Sequence, residues 1–151
     1  MKNWHKEMRK NNTKEYFDIQ HNRFKTMRKK FEITENGEKV RNKLEKQVAD
    51  ILYTLNIDYQ YEPHLNINKK SYFPDFSFEN IIIECTYWKG ENKAIELRKK
   101  IFDYENEEYT AIVVVPRALG SFYKLIEKNV IYADVLEEEL CLRSSDKVKL
   151  R

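Results

Sequence analysis

Hydrophobic positions recur along the chain at spacings that change from helical to strand-like. Residues 37–57 place their apolar side chains at steps of three and four, which predicts an amphipathic helix. The side chains that form this stripe are Val40, Leu44, Val48, Ile51, Leu52 and Leu55. Three stretches of strand character follow, at residues 58–67, 71–78 and 80–88, separated by turn residues. Their closeness in sequence predicts an antiparallel meander.

The second half of the chain returns to a helical period and then alternates between the two patterns. Residues 91–108 carry one apolar stripe, which consists of Ala94, Leu97, Ile101 and Tyr104. The unbroken run from Ala111 to Val115 predicts a strand that is buried on both faces. A short helix is expected over Ser121–Lys128 and a strand over Val130–Val135. The predicted fold is α/β, with a mixed central sheet flanked by helices and no internal repeat.

Charge divides the chain unevenly. Residues 1–30 hold ten Lys or Arg against three acidic residues, a local balance of +7, whereas the whole chain has a net charge of +3. Aromatic and Met side chains at loosely helical intervals predict one or two helices in this segment. We expect a basic helical arm over residues 1–36 and a compact domain over residues 37–151. Such a layout is typical of polyanion-binding proteins, although a solvated lysine-rich helix is the plainer alternative.

Composition excludes several classes of protein and site. With 41% hydrophobic and 35% charged residues, the chain is expected to be globular rather than disordered. No run of 18 apolar residues and no apolar leader is present, so we expect a soluble cytoplasmic protein with no membrane partner. Cys85 and Cys141 are far apart, and the three histidines are scattered, so no disulfide or zinc site is predicted. No glycine-rich phosphate loop is present, and no organic cofactor is expected.

Three carboxylates, Glu45, Asp75 and Glu84, are the candidate chemical groups. Asp75 lies between Pro74 and Phe76, and Glu84 directly follows three consecutive isoleucines at positions 81–83. A charge in an apolar setting is costly unless it is paired or binds a cation. Adjacent strands would bring Asp75 and Glu84 together, and Mg²⁺ (or Mn²⁺) is the cation that two carboxylates favour.

Each carboxylate also has an ordinary structural explanation. An Asp after a Pro is common in turns, and a Glu at a strand end is often solvated. Glu45 on a helix has Arg41 and Lys46 as neighbours, which is typical of a surface residue. The combination of all three is what favours a metal site.

The pair Pro74-Asp75, followed nine residues later by Glu84 at the end of an apolar run, resembles the PD-(D/E)XK nuclease superfamily, which has the restriction-endonuclease-like fold. The resemblance covers roughly residues 37–116, including the upstream helix. It implies a Mg²⁺-dependent endonuclease that hydrolyses DNA. Asp75 and Glu84 would be catalytic metal ligands, and Glu45 matches a glutamate that many members present to the metal from this helix. Small members of the superfamily are commonly dimers, so a homodimer is implied by analogy.

One position departs from the superfamily pattern. The lysine expected two residues after the second acid is replaced by Thr86. Some members place this lysine on the following helix, where Lys93 and Lys100 share a face and are the candidate catalytic lysines. Alternatively, the site is inactive and the protein binds nucleic acid without cutting it. A third possibility is an interaction module whose N-terminal helices pair with a partner.

The phosphate backbone of DNA would be held by basic side chains outside the carboxylate cluster. The candidate nucleic-acid-binding residues are Lys25, Arg28, Lys29, Lys30, Arg41, Lys89, Arg98 and Lys99.

Overall fold

The computed structural model describes residues 31–149, with side chains described through residue 143. The strands are β1 (Glu32–Ile33), β2 (Lys39–Val40), β3 (Gln60–Tyr61), β4 (Leu65–Ile67), β5 (Lys70–Tyr72), β6 (Phe76–Phe78), β7 (Ile81–Cys85), β8 (Thr110–Val115) and β9 (Val130–Tyr132). The helices are α1 (Lys43–Thr54), α2 (Asn92–Asn106) and α3 (Leu136–Lys149), with 3-10 segments at Arg117–Asn129 and Ala133–Val135.

A mixed five-stranded sheet forms the centre of the fold, in the order β3-β6-β7-β8-β9. Strands β3, β6 and β7 pair antiparallel, whereas β7, β8 and β9 pair parallel. Helix α2 connects β7 to β8, as a parallel pair requires. Strand β8 is buried from Ala111 to Val115, so both of its faces are covered by other elements. The predicted mixed α/β sheet flanked by helices is therefore confirmed.

Two apolar clusters cover opposite faces of the sheet. We call the face packed against α1 and α3 the α1 face; its buried residues are Leu44, Val48, Ala49, Leu52, Phe76, Phe78, Ile81, Ile83, Ile112, Val114, Ile131, Ala133, Leu136 and Leu140. We call the face packed against α2 and the first 3-10 segment the α2 face; its buried residues are Ile67, Ile82, Ala94, Leu97, Ile101, Tyr104, Ala111, Val113, Val115, Tyr123 and Ile126. Successive side chains of β7 alternate between these faces, as the pleat of a strand requires.

Helices α1 and α2 lie where the apolar period predicts them. Asn42 caps α1, because its side-chain oxygen accepts a hydrogen bond from Glu45 N at 2.9 Å. The helix predicted over residues 91–108 corresponds to α2. None of the helices among residues 31–149 has the length and apolar character needed to cross a membrane.

The prediction of three continuous strands before α2 is wrong. The stretch 58–67 is divided into β3 and β4, and the stretch 71–78 is divided into β5 and β6. Each contains a proline, Pro63 or Pro74, which cannot donate to a strand ladder and interrupts the pairing. The two inner pieces form the separate hairpin β4–β5, while the outer pieces pair in the main sheet.

The C-terminal prediction also needs correction. The strand expected over Val130–Val135 ends at Tyr132, and helix α3, which was not predicted, follows. Leu136 and Leu140 anchor α3, and so short an apolar stripe gives a weak helical signal. The helix expected over Ser121–Lys128 is a 3-10 segment that is interrupted by non-helical backbone angles at Tyr123 and Ile126.

The start of the described region forms a hairpin from β1 and β2. This hairpin spans the expected boundary between residues 36 and 37. Residues 1–30, where the basic arm is expected, lie outside the described residues.

Candidate active site

Asp75 and Glu84 come together at one end of the antiparallel pair β6–β7. Phe76 pairs with Ile83, and the same register continued by one residue places Asp75 opposite Glu84. Directly opposed residues in an antiparallel pair have neighbouring side chains on the same face. Asp75 Oδ2 also accepts a hydrogen bond from Cys85 N at 2.6 Å, which fixes the carboxylate against β7. The structure therefore brings these two predicted residues together.

Burial makes both carboxylates difficult to ionise, and at Asp75 the charges of neighbouring carboxylates add to this effect. Burial, together with the charges of Glu84 and Glu45, raises the pKa of Asp75 well above its usual range. Burial also raises the pKa of Glu84, which is only 8% exposed. Opposing this, the charge of Lys100, a hydrogen bond from Tyr104 and the charge of Lys93 favour ionised Glu84. A cation at this point would relieve the repulsion between the two acids.

Lys93 and Lys100 lie on the side of α2 that approaches Glu84. Their half-buried ammonium groups also approach one carboxylate oxygen, Glu96 Oε1, at 3.6 Å and 4.0 Å. Tyr104, one turn beyond Lys100, donates its hydroxyl proton to Glu84 Oε1 at 3.2 Å. Helix α2 thus presents two cations and one hydroxyl donor toward the same carboxylate.

Glu45 lies in the first turn of α1 and is buried. Its Oε2 accepts a hydrogen bond from Asn42 Nδ2 at 2.8 Å, and its Oε1 accepts one from the hydroxyl of Tyr61. The backbone N–H of Arg41 lies 3.5 Å from the same Oε1. Burial raises the pKa of Glu45, while the hydrogen bond from Tyr61 opposes the shift. Glu45 is therefore part of the helix cap, and its charge also reaches Asp75.

Thr86 shares the α2 face with Glu84, as the spacing of two residues predicts. Its side chain does not replace the missing lysine chemically. The Oγ1 atom lies 2.9 Å from the hydroxyl oxygen of Tyr123, and both residues are buried. Thr86 N also donates to Val114 O at 3.0 Å. Thr86 thus joins the end of β7 to β8 and to the 3-10 segment.

The remaining basic candidates have different surroundings. Arg41 forms a two-point ion pair with Glu62, with Nε and Nη2 at 3.0 Å and 2.9 Å from Oε2. Lys89, Arg98 and Lys99 are exposed and form no ion pair with any other residue in the range 31–143. The four candidates of the basic arm, Lys25, Arg28, Lys29 and Lys30, lie outside the described residues.

The carboxylate oxygens of Asp75 and Glu84 are ligands of the type that a hard cation prefers. Among the side chains described in residues 31–143, no group of three His, Cys, Asp or Glu residues is placed to hold a metal ion. Mg²⁺, however, is commonly held by one or two carboxylates, with water and substrate phosphate as its other ligands. Asp75 and Glu84 satisfy that smaller requirement by residue type and by their nearness, since Asp75 directly precedes β6 and Glu84 lies in the neighbouring strand β7.

Sequence reasoning missed the groups that hold the candidate residues in place. Tyr104 ends the apolar stripe of α2, and its hydroxyl, a polar atom in that stripe, was the available signal. Asn42 at the start of α1 was a second signal, because Asn and Glu three residues apart favour a helix cap. The contacts of Tyr61 and Tyr123 join segments that are distant in sequence, and no local pattern indicates them.

Comparison of the chain with protein-family models, with curated proteins and with solved structures gave no match. Any functional conclusion therefore depends on the chemistry of the site itself. That chemistry consists of two repelling carboxylates, two lysines and one tyrosine hydroxyl at one end of β7.

Proposed function

We propose that this protein is a metal-dependent endonuclease that hydrolyses DNA phosphodiester bonds, with a PD-(D/E)XK-type site on a restriction-endonuclease-like fold. The observation that carries the proposal is the nearness of Asp75 to Glu84 at the end of β6–β7, with the charges of Lys93 and Lys100 acting on Glu84. Two carboxylates and a cation beside them are the groups that metal-assisted phosphodiester hydrolysis requires.

The order of elements supports the fold assignment. Helix α1, the antiparallel strands β3, β6 and β7, helix α2 and the parallel strand β8 follow one another as the superfamily resemblance implies. Asp75 precedes β6 directly, and Glu84 lies near the end of β7. The hairpin β4–β5 is an insertion between the first two strands of this core.

In the proposed reaction, Asp75 and Glu84 would hold Mg²⁺ or Mn²⁺, which when bound would lower the pKa of a water and polarise the scissile phosphate. Tyr104 orients Glu84 through its hydrogen bond and favours the ionised form. Lys100 and Lys93 stabilise negative charge that develops on the phosphate in the transition state. Glu96, which lies near both ammonium groups, helps to hold these two side chains in position.

The decisive experiment is cleavage of plasmid, branched and single-stranded DNA in Mg²⁺ or Mn²⁺. Asp75→Asn and Glu84→Gln keep the shape of each side chain, and each is expected to lower the cleavage rate by roughly 100-fold or more. Asp58→Asn is the matched control, because Asp58 is exposed and lies near Ile81, at the opposite end of β7. Cleavage that survives Asp75→Asn at the wild-type rate would exclude the proposal.

Substitution of two adjacent lysines of α2, Lys99 and Lys100, distinguishes an effect on catalysis from an effect on DNA binding. Lys100→Met removes a charge that acts on Glu84 and is expected to lower kcat at least about tenfold. Lys99→Met removes an exposed charge and is expected to raise KM, with kcat nearly unchanged. Equal effects of the two variants on kcat would contradict a catalytic role for Lys100.

A second candidate function is nucleic-acid binding without cleavage. It is favoured by Thr86, whose hydroxyl bonds to Tyr123 at the position where the superfamily has its lysine. This alternative predicts salt-dependent DNA binding that neither EDTA nor Asp75→Asn alters, together with no cleavage of any of the three substrates.

A further inference from the structure

Two aromatic side chains are exposed immediately after the end of β7. Tyr87 is 53% exposed and Trp88 is 66% exposed. Trp88 follows Glu84 by only four residues, so it lies at the same end of the sheet as the candidate active site. Leaving a tryptophan in water forgoes a large gain from apolar burial, and such exposure often indicates a binding surface.

The backbone of Trp88 is nevertheless firmly held. Its N–H lies 3.4 Å from Thr86 Oγ1, and its carbonyl oxygen accepts a hydrogen bond from the Tyr123 hydroxyl at 2.7 Å. Thr86 and Tyr123 are themselves buried and bonded to each other. The protein therefore fixes the start of this loop through internal hydrogen bonds and still directs the indole ring toward solvent.

Charge at this position indicates the kind of ligand. Lys89, the next residue, is exposed and has no ion-pair partner in the range 31–143, and Lys93 lies on the first turns of α2. An apolar planar surface beside cations is complementary to a nucleotide, whose base stacks on aromatic rings while its phosphate attracts lysine. A base presents its face for stacking only when it is unpaired or unstacked from the duplex.

We propose that Trp88 stacks on an unpaired base beside the Asp75–Glu84 pair and that Thr86 and Tyr123 are the residues that position it. The inference deepens the proposed nuclease function and rests on it for the chemistry. It identifies the substrate class as DNA with a single-stranded segment at the site, such as a flap, a branch or a free strand. The threonine at the usual lysine position thus has a role in substrate selection.

Intrinsic fluorescence of the full chain tests this binding mode without any cleavage. In the Trp4→Phe variant, Trp88 is the only tryptophan. Titration with a single-stranded oligonucleotide in EDTA is expected to quench its emission, whereas a blunt duplex of the same sequence should quench it much less. No quenching by the single strand would overturn the inference.

Measurements of DNA affinity are a second test of the inference. Trp88→Ala is expected to weaken single-strand binding about tenfold or more, and Trp88→Phe should retain most of the affinity because an aromatic face remains. Leu125→Ala is the matched control, since Leu125 is a 50% exposed apolar residue on the 3-10 segment. Equal binding by wild type and Trp88→Ala would overturn the inference.

Thr86→Val and Tyr123→Phe test the positioning roles, because each removes a hydroxyl and nearly preserves shape. Each is expected to lower single-strand affinity several-fold and to shift the Trp88 emission, with the duplex affinity unchanged. An unaltered emission and affinity in both variants would contradict the positioning role. Failure here is distinguishable from failure of the nuclease proposal, because these measurements are made in EDTA and cleavage is measured separately with Asp75→Asn.

Discussion

The two faces of strand β7 bury very different chemistry. On the α1 face, Ile81 and Ile83 pack among apolar side chains from α1, α3 and the neighbouring strands. On the α2 face, Ile82 is followed by Glu84, which is bonded to a tyrosine hydroxyl and lies near two lysines. Adjacent residues of β7 therefore enter two environments, one apolar around Ile81 and Ile83 and the other partly charged around Glu84.

This difference shows how a small domain separates stability from chemistry. An apolar face can be packed without satisfying any polar group, and each buried methylene contributes roughly 0.8 kcal/mol. A buried carboxylate requires hydrogen-bond donors and cations, which α2 supplies from Tyr104, Lys100 and Lys93. Both faces therefore stabilise the sheet by apolar packing, while the α2 face also buries the carboxylate of Glu84.

The largest expected effect is on stability, from truncation of the two adjacent isoleucines. Ile82 and Ile83 are both 0% exposed, so Ile82→Ala and Ile83→Ala should each lower the free energy of unfolding by about 2–5 kcal/mol. Thermal denaturation measures the loss, and Ile33→Ala, at a position 51% exposed, is the control with little effect. A loss under about 1 kcal/mol for Ile82→Ala alone would mean that the α2 face is hydrated rather than packed.

A smaller effect, of opposite sign, is expected from Asp75→Asn in metal-free protein. The pKa of Asp75 is raised in the folded state, so its contribution to stability is greatest below its unfolded pKa and is lost as the pH rises through the folded value. Asp75→Asn should therefore stabilise the protein at pH 8 relative to the wild type, because the substitution removes the cost of burying this ionisable group. The gain should shrink toward pH 4.

Thermal denaturation in EDTA across this pH range measures the effect, with Asp58→Asn as the control. Addition of Mg²⁺ at pH 8 should stabilise the wild type and leave Asp75→Asn nearly unchanged. A wild-type protein that Mg²⁺ does not stabilise would argue against a cation between Asp75 and Glu84.

Sequence reasoning located the candidate residues better than it located their environment. The apolar periods of residues 37–57 and 91–108 predicted α1 and α2, because each stripe packs against one face of the sheet. The unbroken apolar stretch Ala111–Val115 predicted β8, because a strand that is buried on both faces has no alternating polar positions. These signals are local, and tertiary packing agrees with them.

The parts that were missed depend on contacts between distant segments. Pro63 and Pro74 each divide a predicted strand. The order of the resulting strands in the sheets depends on which strands form hydrogen bonds with each other, and the local pattern of apolar residues does not indicate this. Thr86 could be identified as a departure from the lysine pattern, but its bond to Tyr123 joins residues 37 positions apart. The expectation that adjacent strands bring Asp75 and Glu84 together needed only the register of one hairpin, β6–β7, which is a local feature.

The smallest expected effect is a loss of stability when the hydrogen bond to Glu84 on the α2 face is removed. Tyr104→Phe removes the hydroxyl that donates to Glu84 Oε1 and leaves the ring, which is fully buried, in place. Loss of one hydrogen bond of this kind costs about 1 kcal/mol, and more when the acceptor is charged. Because the hydroxyl favours ionised Glu84, its removal raises the pKa of that carboxyl further.

The destabilisation caused by Tyr104→Phe should therefore be largest at pH 8 and should decrease as the pH falls and Glu84 is protonated in both proteins. Chemical denaturation in EDTA at several pH values measures this trend, and Tyr53→Phe, at a position 49% exposed, is the matched control. A loss of stability that is independent of pH would mean that the hydroxyl serves packing alone. A loss that grows with pH would instead identify Tyr104 as one of the groups that keep Glu84 ionised on the α2 face.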